Sequence, residues 1–345
     1  MSDVMRVGVL GAGGLGKAAA RIIGMKRELK LVAICDSRGF AFDEEGLSCD
    51  AIAGISGDVV EGYRQATAAQ SGNGGVAVAT RTLVEHSTDA IEELIKRAAA
   101  VDGFVIALPN LPNEFIPGVA SRFFAANRNL LFVDALKRTR AVELMFRLDG
   151  EAKRARSVYL AGCGATPGLL SAAAVLAAQS FVKVESVDIY WGVGIANWEA
   201  YKATIREDIA HLPGYSVERA RAMSDAEIDA LLDKTDGKLE LRNMENADDV
   251  LLQRVGVVED LDQVTVGGVM DTRHARKPVS TTMTLTGITH DGQRSSHKFI
   301  LGDETTMAAN VIGPALGYLK RAAWLKAQGI FGVFGSTEFM PMVVR

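Results

Sequence analysis

The first half of the chain alternates short, almost continuously apolar runs with segments of helix length. The apolar runs predict five strands, at Met5–Leu10, Leu29–Asp36, Asp102–Pro109, Asn129–Leu136 and Ser157–Gly164. Strands of this kind that alternate with helices are typical of a parallel sheet covered on both faces. We therefore predict an α/β fold in which residues 1–165 form an N-terminal Rossmann domain, built on a doubly wound parallel sheet.

After residue 165 the strand-like segments follow one another instead of alternating with helices. They lie at Val184–Gly194, Asp249–Val258, Gln263–Thr272 and Pro278–Leu301. The last of these predicts a hairpin that turns at the Asp-Gly pair. Consecutive strands indicate an antiparallel sheet, so we predict that residues 166–302 form an α+β domain for substrate binding and dimerisation. A helical pattern begins near residue 306, and we expect residues 303–345 to pack back on the Rossmann domain.

A glycine-rich turn, GAGGLG, follows the first predicted strand and opens a helix. Its pattern G-x-G-x-x-G provides a tight turn, a close approach of backbone to a pyrophosphate, and close packing of helix on strand. Because a strand precedes the turn and a helix follows it, we predict that a dinucleotide binds here. The residues predicted to hold its phosphates are Gly11, Gly13, Gly14, Leu15 and Gly16.

The end of the second predicted strand bears on the choice between NAD and NADP. Asp36 stands where an acidic side chain commonly accepts a hydrogen bond from the adenosine ribose. Ser37 and Arg38 follow directly, and an arginine at this place can hold the 2′-phosphate of NADP. The pattern slightly favours NADP, while NAD remains open, as does the alternative that Arg38 is a solvated turn residue.

Segments that follow the other predicted strands should converge beside the nicotinamide, since ligands bind at the carboxyl ends of such strands. Leu108, Pro109 and Asn110 are predicted to contact the cofactor. A second glycine turn contains Thr166, Pro167 and Gly168, which are predicted to bind substrate. Free backbone N–H groups at the start of the following helix would suit a carboxylate, although a simple capped helix start is the alternative.

The candidate catalytic residues are Asp134, Lys137 and His211. Asp134 could bind a substrate ammonium, Lys137 could donate a proton or pair with a carboxylate, and His211 could act as acid or base. The alternatives are a helix cap for Asp134 and a solvated side chain for Lys137. Further candidates for the substrate pocket are Trp191, Trp198 and Arg206. An amphipathic helix that packs on the sheet is the other interpretation of the segment that carries Trp198, Arg206 and His211.

The segment GCGATPGLLSAAAVLAA resembles the G-x-x-PG turn and following helix of saccharopine dehydrogenase (reductase)-like and lysine dehydrogenase-like oxidoreductases. The order of FVDALKR, ATPGLLS, YWGVG and HLPGY also resembles that in meso-diaminopimelate dehydrogenase. This resemblance implies an NAD(P)-dependent enzyme that transfers hydride at the amino-bearing carbon of an amino acid. The CDSRG segment and the Lys137 region are also similar to those of homoserine dehydrogenases, which leaves a semialdehyde reductase as an alternative.

Composition narrows the range of functions further. A net charge of −4 argues against nucleic acid as a partner. Three unpaired cysteines, no leader-like N-terminus and no long apolar stretch indicate a soluble protein of the cytoplasm that does not bind membranes. No cluster has metal-ligand spacing, so we expect no catalytic metal. We also expect a homodimer, and a regulatory protein that binds the dinucleotide without turnover is the alternative from another class.

Overall fold

The computed structural model describes residues 4–71, 82–110, 112–126, 129–196, 198–302 and 306–345. Its strands are β1 (Met5–Leu10), β2 (Leu29–Cys35), β3 (Gly39–Phe42), β4 (Leu83–His86), β5 (Gly103–Ile106), β6 (Leu131–Asp134), β7 (Val158–Ala161), β8 (Phe181–Gly194), β9 (Lys238–Leu241), β10 (Val264–Asp271), β11 (Thr281–Thr289), β12 (Arg294–Leu301) and β13 (Gly332–Gly335). Its helices are α1 (Gly14–Gly24), α2 (Cys49–Ala53), α3 (Val59–Ser71), α4 (Ala90–Lys96), α5 (Phe115–Ala125), α6 (Thr139–Phe146), α7 (Asp149–Arg154), α8 (Leu169–Ala178), α9 (Lys202–Ile209), α10 (Val217–Ala222), α11 (Asp225–Lys234), α12 (Asp248–Arg254) and α13 (Met307–Ala327).

The larger sheet has eight strands in the order β13-β7-β6-β5-β1-β2-β3-β4. The six strands from β13 to β2 are parallel, while β3 and β4 add to the edge in antiparallel orientation. Strands β5, β6 and β7 are buried along their whole length, as continuous apolar runs require. The predicted α/β class with a parallel Rossmann-type sheet is confirmed.

Two apolar layers cover the faces of this sheet. On one face an aromatic cluster stacks Phe132 on Phe104 and Tyr159, with ring centroids 5.9 and 5.7 Å apart. On the other face α13 lies against β5, β6 and β7 and buries Tyr318 and Leu319 completely. The C-terminal helix therefore belongs to the core of the larger sheet. The predicted domain limits stay predictions, and the limit between 302 and 303 adjoins residues 303–305, which lie outside the described ranges.

The smaller sheet has five strands in the order β12-β11-β8-β10-β9. All of its pairs are antiparallel except β8 with β10, so the predicted, largely antiparallel second sheet is confirmed. The predicted hairpin is formed by β11 and β12, and Gly292 in its turn has a φ of 78°. Strand β12 forms the edge of the sheet and is exposed along nearly its whole length. The expected homodimer stays a prediction.

One predicted strand is wrong. The segment Asp249–Val258 contains helix α12, which runs from Asp248 to Arg254. The valines and leucines of this segment suggested a strand. Asp248 and Asp249, however, lie in the first turn of the helix, where acidic side chains stabilise the helix through its dipole. The sequence prediction also missed β3, β4, β9 and β13, which have four residues each. Among the helices of the described ranges, none combines the length and the apolar character that crossing a membrane requires.

Candidate active site

A cleft of about 830 Å³ opens at the carboxyl ends of the parallel strands. The segments that follow β1, β2, β5, β6 and β7 line one side of it, and residues of β8 and α9 line the other. We refer to this space as the active-site cleft. The predicted site residues that line it are Gly11, Gly13, Gly14, Leu15, Asp36, Ser37, Leu108, Pro109, Asn110, Lys137, Thr166, Trp191 and Arg206.

The first glycine turn has the geometry of a phosphate-binding turn. Gly11 has a φ of 106°, and a Cβ there would overlap the carbonyl oxygen of Ala107. A Cβ on Gly16 would overlap the carbonyl oxygen of Gly11, so this glycine permits the close packing of α1. A Cβ on Gly13 would meet nothing within 4 Å, because this residue faces the open cleft. The turn thus leaves room for a diphosphate beside the first N–H groups of α1, and the residues present fit a dinucleotide.

The ribose end of the cleft is formed by the turn after β2. Asp36 accepts hydrogen bonds from the backbone N–H groups of Val59 at 2.6 Å and of Arg38 at 2.8 Å. Asp36 and Ser37 line the cleft, whereas Arg38 points to solvent with 72% of its side chain exposed. Its guanidinium lies 3.4 Å from the carboxylate of Asp58. This end of the cleft offers an acceptor for a ribose hydroxyl and an exposed cation near it.

The opposite end of the cleft holds an ion cluster of Lys137, Glu207 and Asp208, which we call the Lys137 cluster. Lys137 Nζ lies 2.9 Å from Asp208 Oδ1 and 3.5 Å from Glu207 Oε2. The side chain of Glu207 is 5% exposed, and that of Asp208 is 2% exposed. Burial alone would lower the pKa of Lys137, but the two carboxylates outweigh it and raise that pKa well above its usual value. Lys137 is therefore a fixed ammonium in the cleft.

Glu207 and Asn246 line this part of the cleft, and each has one buried acceptor oxygen without a partner among the described residues. Asn110 donates a hydrogen bond to Glu207 Oε2 at 3.1 Å, but Glu207 Oε1 has no partner within the described ranges. Asn246 is 3% exposed, and its Oδ1 likewise finds no partner in the described part of the chain. Burial raises the pKa of Glu207, and the nearby charge of Lys137 opposes this shift.

Asp134 does not take the place predicted for it. Its carboxylate is fully buried, does not line the cleft and accepts hydrogen bonds from Tyr159 Oη at 2.6 Å and from the backbone N–H groups of Gly162 and Leu136. Because the carboxylate is fully buried and does not line the cleft, a substrate ammonium cannot reach it. We therefore correct its assignment, and Asp134 is a structural residue that joins the ends of β6 and β7.

The second glycine turn is held by a buried carboxylate. Asp248 accepts hydrogen bonds from the hydroxyls of Thr166, at 2.5 Å, and Ser171. The backbone N–H of Gly168 donates to Ser171 Oγ, and those of Leu169 and Leu170 donate to carbonyl groups of the same turn. Because these N–H groups are occupied, the predicted carboxylate site on the turn is wrong. Thr166 lines the cleft, whereas Pro167 and Gly168 do not.

We expect the Asp248 carboxyl to make stability depend on pH. Burial raises its pKa to about 6, although the two hydroxyl donors oppose the shift. The folded protein keeps this proton up to about pH 6, while the unfolded chain releases it near pH 4. The stabilisation is therefore complete below pH 4 and is lost as the pH rises through 6, by about 3 kcal/mol for a shift of this size.

The test compares the free energy of unfolding of the wild type with that of Asp248→Asn in denaturant titrations from pH 4 to pH 7. The difference between the two proteins should fall by about 3 kcal/mol over this range. Asp134, whose pKa burial also raises to about 6, titrates in both proteins and cancels in the difference. A difference that does not change with pH would contradict the prediction.

Three further candidates differ in their position. Trp191 lines the cleft and packs over Gly268, where a Cβ would overlap the indole ring. Trp198 lies outside the cleft and donates from its indole N–H to Asp229 at 2.9 Å, so its assignment to the pocket is corrected. Arg206 lines the cleft, but its guanidinium binds two backbone carbonyl groups and lies 2.9 Å from Asp225. These contacts tie α9 to the end of α10 and the start of α11 and leave Arg206 unsuited to a substrate carboxylate.

His211 lies beside the Lys137 cluster without lining the cleft. Burial lowers its pKa, and the charge of Lys137 lowers it further, so the ring is neutral near pH 7. Its Nε2 is buried and has no partner among the described residues. This position does not suit a general acid that must reach a ligand, and we withdraw that assignment.

The sequence does not predict the roles of Glu207, Asp208, Asn246 and Asp248. Glu207 and Asp208 stand in a segment in which aromatic and basic residues were the candidates for the site. Two adjacent acids on a helix are usually solvated, and no local signal shows that these two are buried. The strand predicted at Asp249–Val258 begins directly after Asp248, and this prediction hid the start of α12 and the role of Asp248 beside the second glycine turn.

The chain is 43% identical to "(S)-8-amino-7-oxononanoate synthase BioU" of Haloferax mediterranei, over 98% of this chain and 99% of that protein. The chain belongs to the BioU family. None of the protein-family models that were searched matches it.

Several solved structures share the fold of this BioU-family chain. Diaminopimelate dehydrogenase of C. glutamicum in complex with DAP matches with a TM-score of 0.56 and 18% identity, over 98% of this chain and 94% of that one. An engineered D-amino acid dehydrogenase bound to NADP+ matches with a TM-score of 0.56 and 18% identity, over 97% and 93% of the two chains. Apo saccharopine dehydrogenase (L-Glu forming) of Saccharomyces cerevisiae has a TM-score of 0.54 and 12% identity, over 96% and 94%.

These findings correct the resemblance drawn from the sequence. Membership among the saccharopine dehydrogenase-like or diaminopimelate dehydrogenase-like proteins is wrong, because the full-length relative at 43% identity is BioU. The likeness to those dehydrogenases is one of fold, at identities of 18% and below. The short motifs were therefore features of a shared architecture, and this chain has the Rossmann-type fold of those solved structures.

Proposed function

We propose that the protein is an NAD(P)-dependent oxidoreductase that acts on 8-amino-7-oxononanoate, the compound in the name of its BioU relative. In this proposal hydride moves between the cofactor and C7, the oxo-bearing carbon. Condensation of the C7 ketone with an amine gives an imine and water, and hydride plus a proton then give the amine at C7. The reverse sequence yields the amino ketone.

The main support for the proposal is that one continuous cleft joins two kinds of binding group. A glycine turn suited to a diphosphate lies at one end, and the fixed ammonium of Lys137 lies at the other. The cofactor would supply the hydride chemistry when bound, with its phosphates held by the turn that contains Gly11 and Gly13. The fold neighbours support a nicotinamide cofactor, and the ribose end accommodates either NAD or NADP, with the slight preference for NADP kept as part of the proposal.

Lys137 can orient the reacting group without any change in its own position. An ammonium has three donors, and in the described structure one hydrogen bond goes to Asp208 while Glu207 lies at the longer distance of 3.5 Å. This leaves an N–H that can donate to the oxygen or nitrogen on C7. A positive charge held in a water-poor site stabilises the negative charge that develops on that atom.

Arg221 is the residue that we propose for the terminal carboxylate of the substrate. It lines the cleft from α10 and has an exposed side chain. The neighbouring cations Lys202 and Arg206 share the carboxylate of Asp225, whereas Arg221 has no ion-pair partner among the described residues. A guanidinium matches a carboxylate with two parallel hydrogen bonds.

The test follows the absorbance of the reduced nicotinamide band with NADH or NADPH. Oxidation of the cofactor should require 8-amino-7-oxononanoate and respond to an added amine such as ammonia. Oxidation with semialdehydes alone would instead support the homoserine dehydrogenase-like alternative. Tight cofactor binding without any turnover would support the regulatory alternative and contradict the proposal.

A further inference from the structure

Two buried acceptor atoms in the active-site cleft have no hydrogen-bond donor. Glu207 is 4% exposed and Asn246 is 3% exposed, and both line the cleft. Their atoms Oε1 and Oδ1, respectively, are without a partner among the residues that the structure describes. An unsatisfied buried acceptor costs about 1–3 kcal/mol, so a protein rarely keeps such atoms unless a ligand supplies donors.

Glu207 lies beside the ammonium of Lys137, and the backbone next to Asn246 contacts the backbone of Lys137. Glu207 Oε2 is 3.5 Å from Lys137 Nζ, and the backbone N–H of Ala247, the residue after Asn246, donates to the carbonyl oxygen of Lys137 at 2.7 Å. The side chain of Asn110 is already directed at the other oxygen of Glu207. Glu207 and Asn246 therefore line the cleft close to Lys137.

The charge balance of this region also favours a cation. The Lys137 cluster contains one ammonium and two carboxylates, and its carboxylates are nearly inaccessible to solvent. The nearby Arg138 does not correct the balance, because it lies 2.6 Å from Glu245. With both acids ionised, the cluster lacks one positive charge, and a buried excess charge is costly unless a counter-ion joins it.

We propose that Glu207 Oε1 and Asn246 Oδ1 form a subsite for the ammonium group of the substrate. An ammonium supplies both the missing charge and the missing donors, and it carries three N–H groups. This inference rests on the proposed function, in which C8 bears the amine next to the C7 ketone. Glu207 and Asn246 would then bind the amine of the substrate, and Lys137 would bind the neighbouring ketone.

The carboxamide of a nicotinamide is another ligand group with N–H donors, but it is neutral and would not supply the missing charge. The experiment separates the two sources with a pair of ligands and a set of variants. The ligands are 8-amino-7-oxononanoate and 7-oxononanoate, which share the ketone and the carboxylate and differ in the amine. Dissociation constants for both, and for NADPH alone, are measured by calorimetry on the full-length protein.

The wild type should bind the amino compound at least about tenfold more tightly than 7-oxononanoate. Glu207→Gln keeps the shape of the side chain and removes the charge, so this ratio should fall to near one. Asn246→Ala should reduce the ratio about fivefold through the loss of one acceptor. The matched control Glu143→Gln removes a partly exposed acid of α6 that pairs with Arg140 and does not line the cleft, and it should keep the wild-type ratio.

The ratio of the two affinities is the readout because a general disturbance of the Lys137 cluster weakens both ligands equally. Thermal unfolding of each variant shows whether it is folded. If Glu207→Gln does not fold, the affinity ratio of Asn246→Ala decides the test. A wild-type ratio near one would overturn the subsite while the proposed function stands. Loss of NADPH affinity in Glu207→Gln with an unchanged ratio would assign the acceptors to the cofactor and overturn the proposal. If the wild type binds neither compound, the proposed function and the subsite fall together.

Discussion

Replacement of Gly13 by valine should lower the affinity for the dinucleotide by about 100-fold or more while the protein stays folded. A Cβ on Gly13 meets no protein atom within 4 Å, so the protein has open space where the new side chain begins. The side chain would occupy the part of the cleft in front of the first N–H groups of α1, where the diphosphate must approach the backbone. Fluorescence titration with NADPH and NADH measures the affinity, and thermal unfolding measures the stability.

A matched control is available in α5. A Cβ on Gly118 also meets nothing within 4 Å, and this residue does not line the cleft. Gly118→Val should bind both dinucleotides as the wild type does. Equal affinity in Gly13→Val and the wild type would show that the phosphates do not bind at this turn.

Replacement of Lys137 by methionine should reduce turnover by about a thousandfold or more and change dinucleotide affinity by less than about threefold. The substitution keeps much of the apolar stem and removes the ammonium that faces the ligand. It also leaves Glu207 and Asp208 buried without a counter-ion, which costs about 3–5 kcal/mol of stability. Turnover is therefore measured at a temperature at which the variant is shown to be folded.

Two further variants test whether the loss of turnover comes from the missing ammonium of Lys137 itself. Lys153→Met removes an exposed lysine that pairs with Asp149 on α7 and should keep full turnover. Lys137→Met combined with Asp208→Asn restores part of the charge balance and should recover stability without recovering turnover. Wild-type turnover in a folded Lys137→Met variant would remove Lys137 from the mechanism.

Local signals in the sequence were sufficient for the first glycine turn. Gly11, Gly13 and Gly16 have their roles fixed by backbone geometry within six residues, and a short pattern expresses that geometry fully. The parallel sheet was predicted for a similar reason, because each buried strand is apolar within its own segment. Strand β13 was not predicted, because four residues that include two glycines show too short a pattern of apolar positions.

The other end of the cleft depends on contacts between distant parts of the chain. The ion pair of Lys137 with Asp208 joins residues 71 positions apart, and the hydrogen bond of Thr166 to Asp248 joins residues 82 apart. No periodicity shows that an acidic residue on a polar helix is buried. Asp134 illustrates the reverse case, because its place at the end of a strand suggested the cleft while its three donors lie in the interior.

The transfer of hydride to C7 is tested most directly with a deuterated cofactor. The protein is incubated with 8-amino-7-oxononanoate, an amine and NADPH or NADH that carries deuterium at C4 of the nicotinamide. Mass spectrometry with fragmentation then locates the label in the product. We predict one deuterium, bound to C7. Deuterium at another carbon, or oxidation of the cofactor without transfer to the nine-carbon chain, would contradict the proposed reaction.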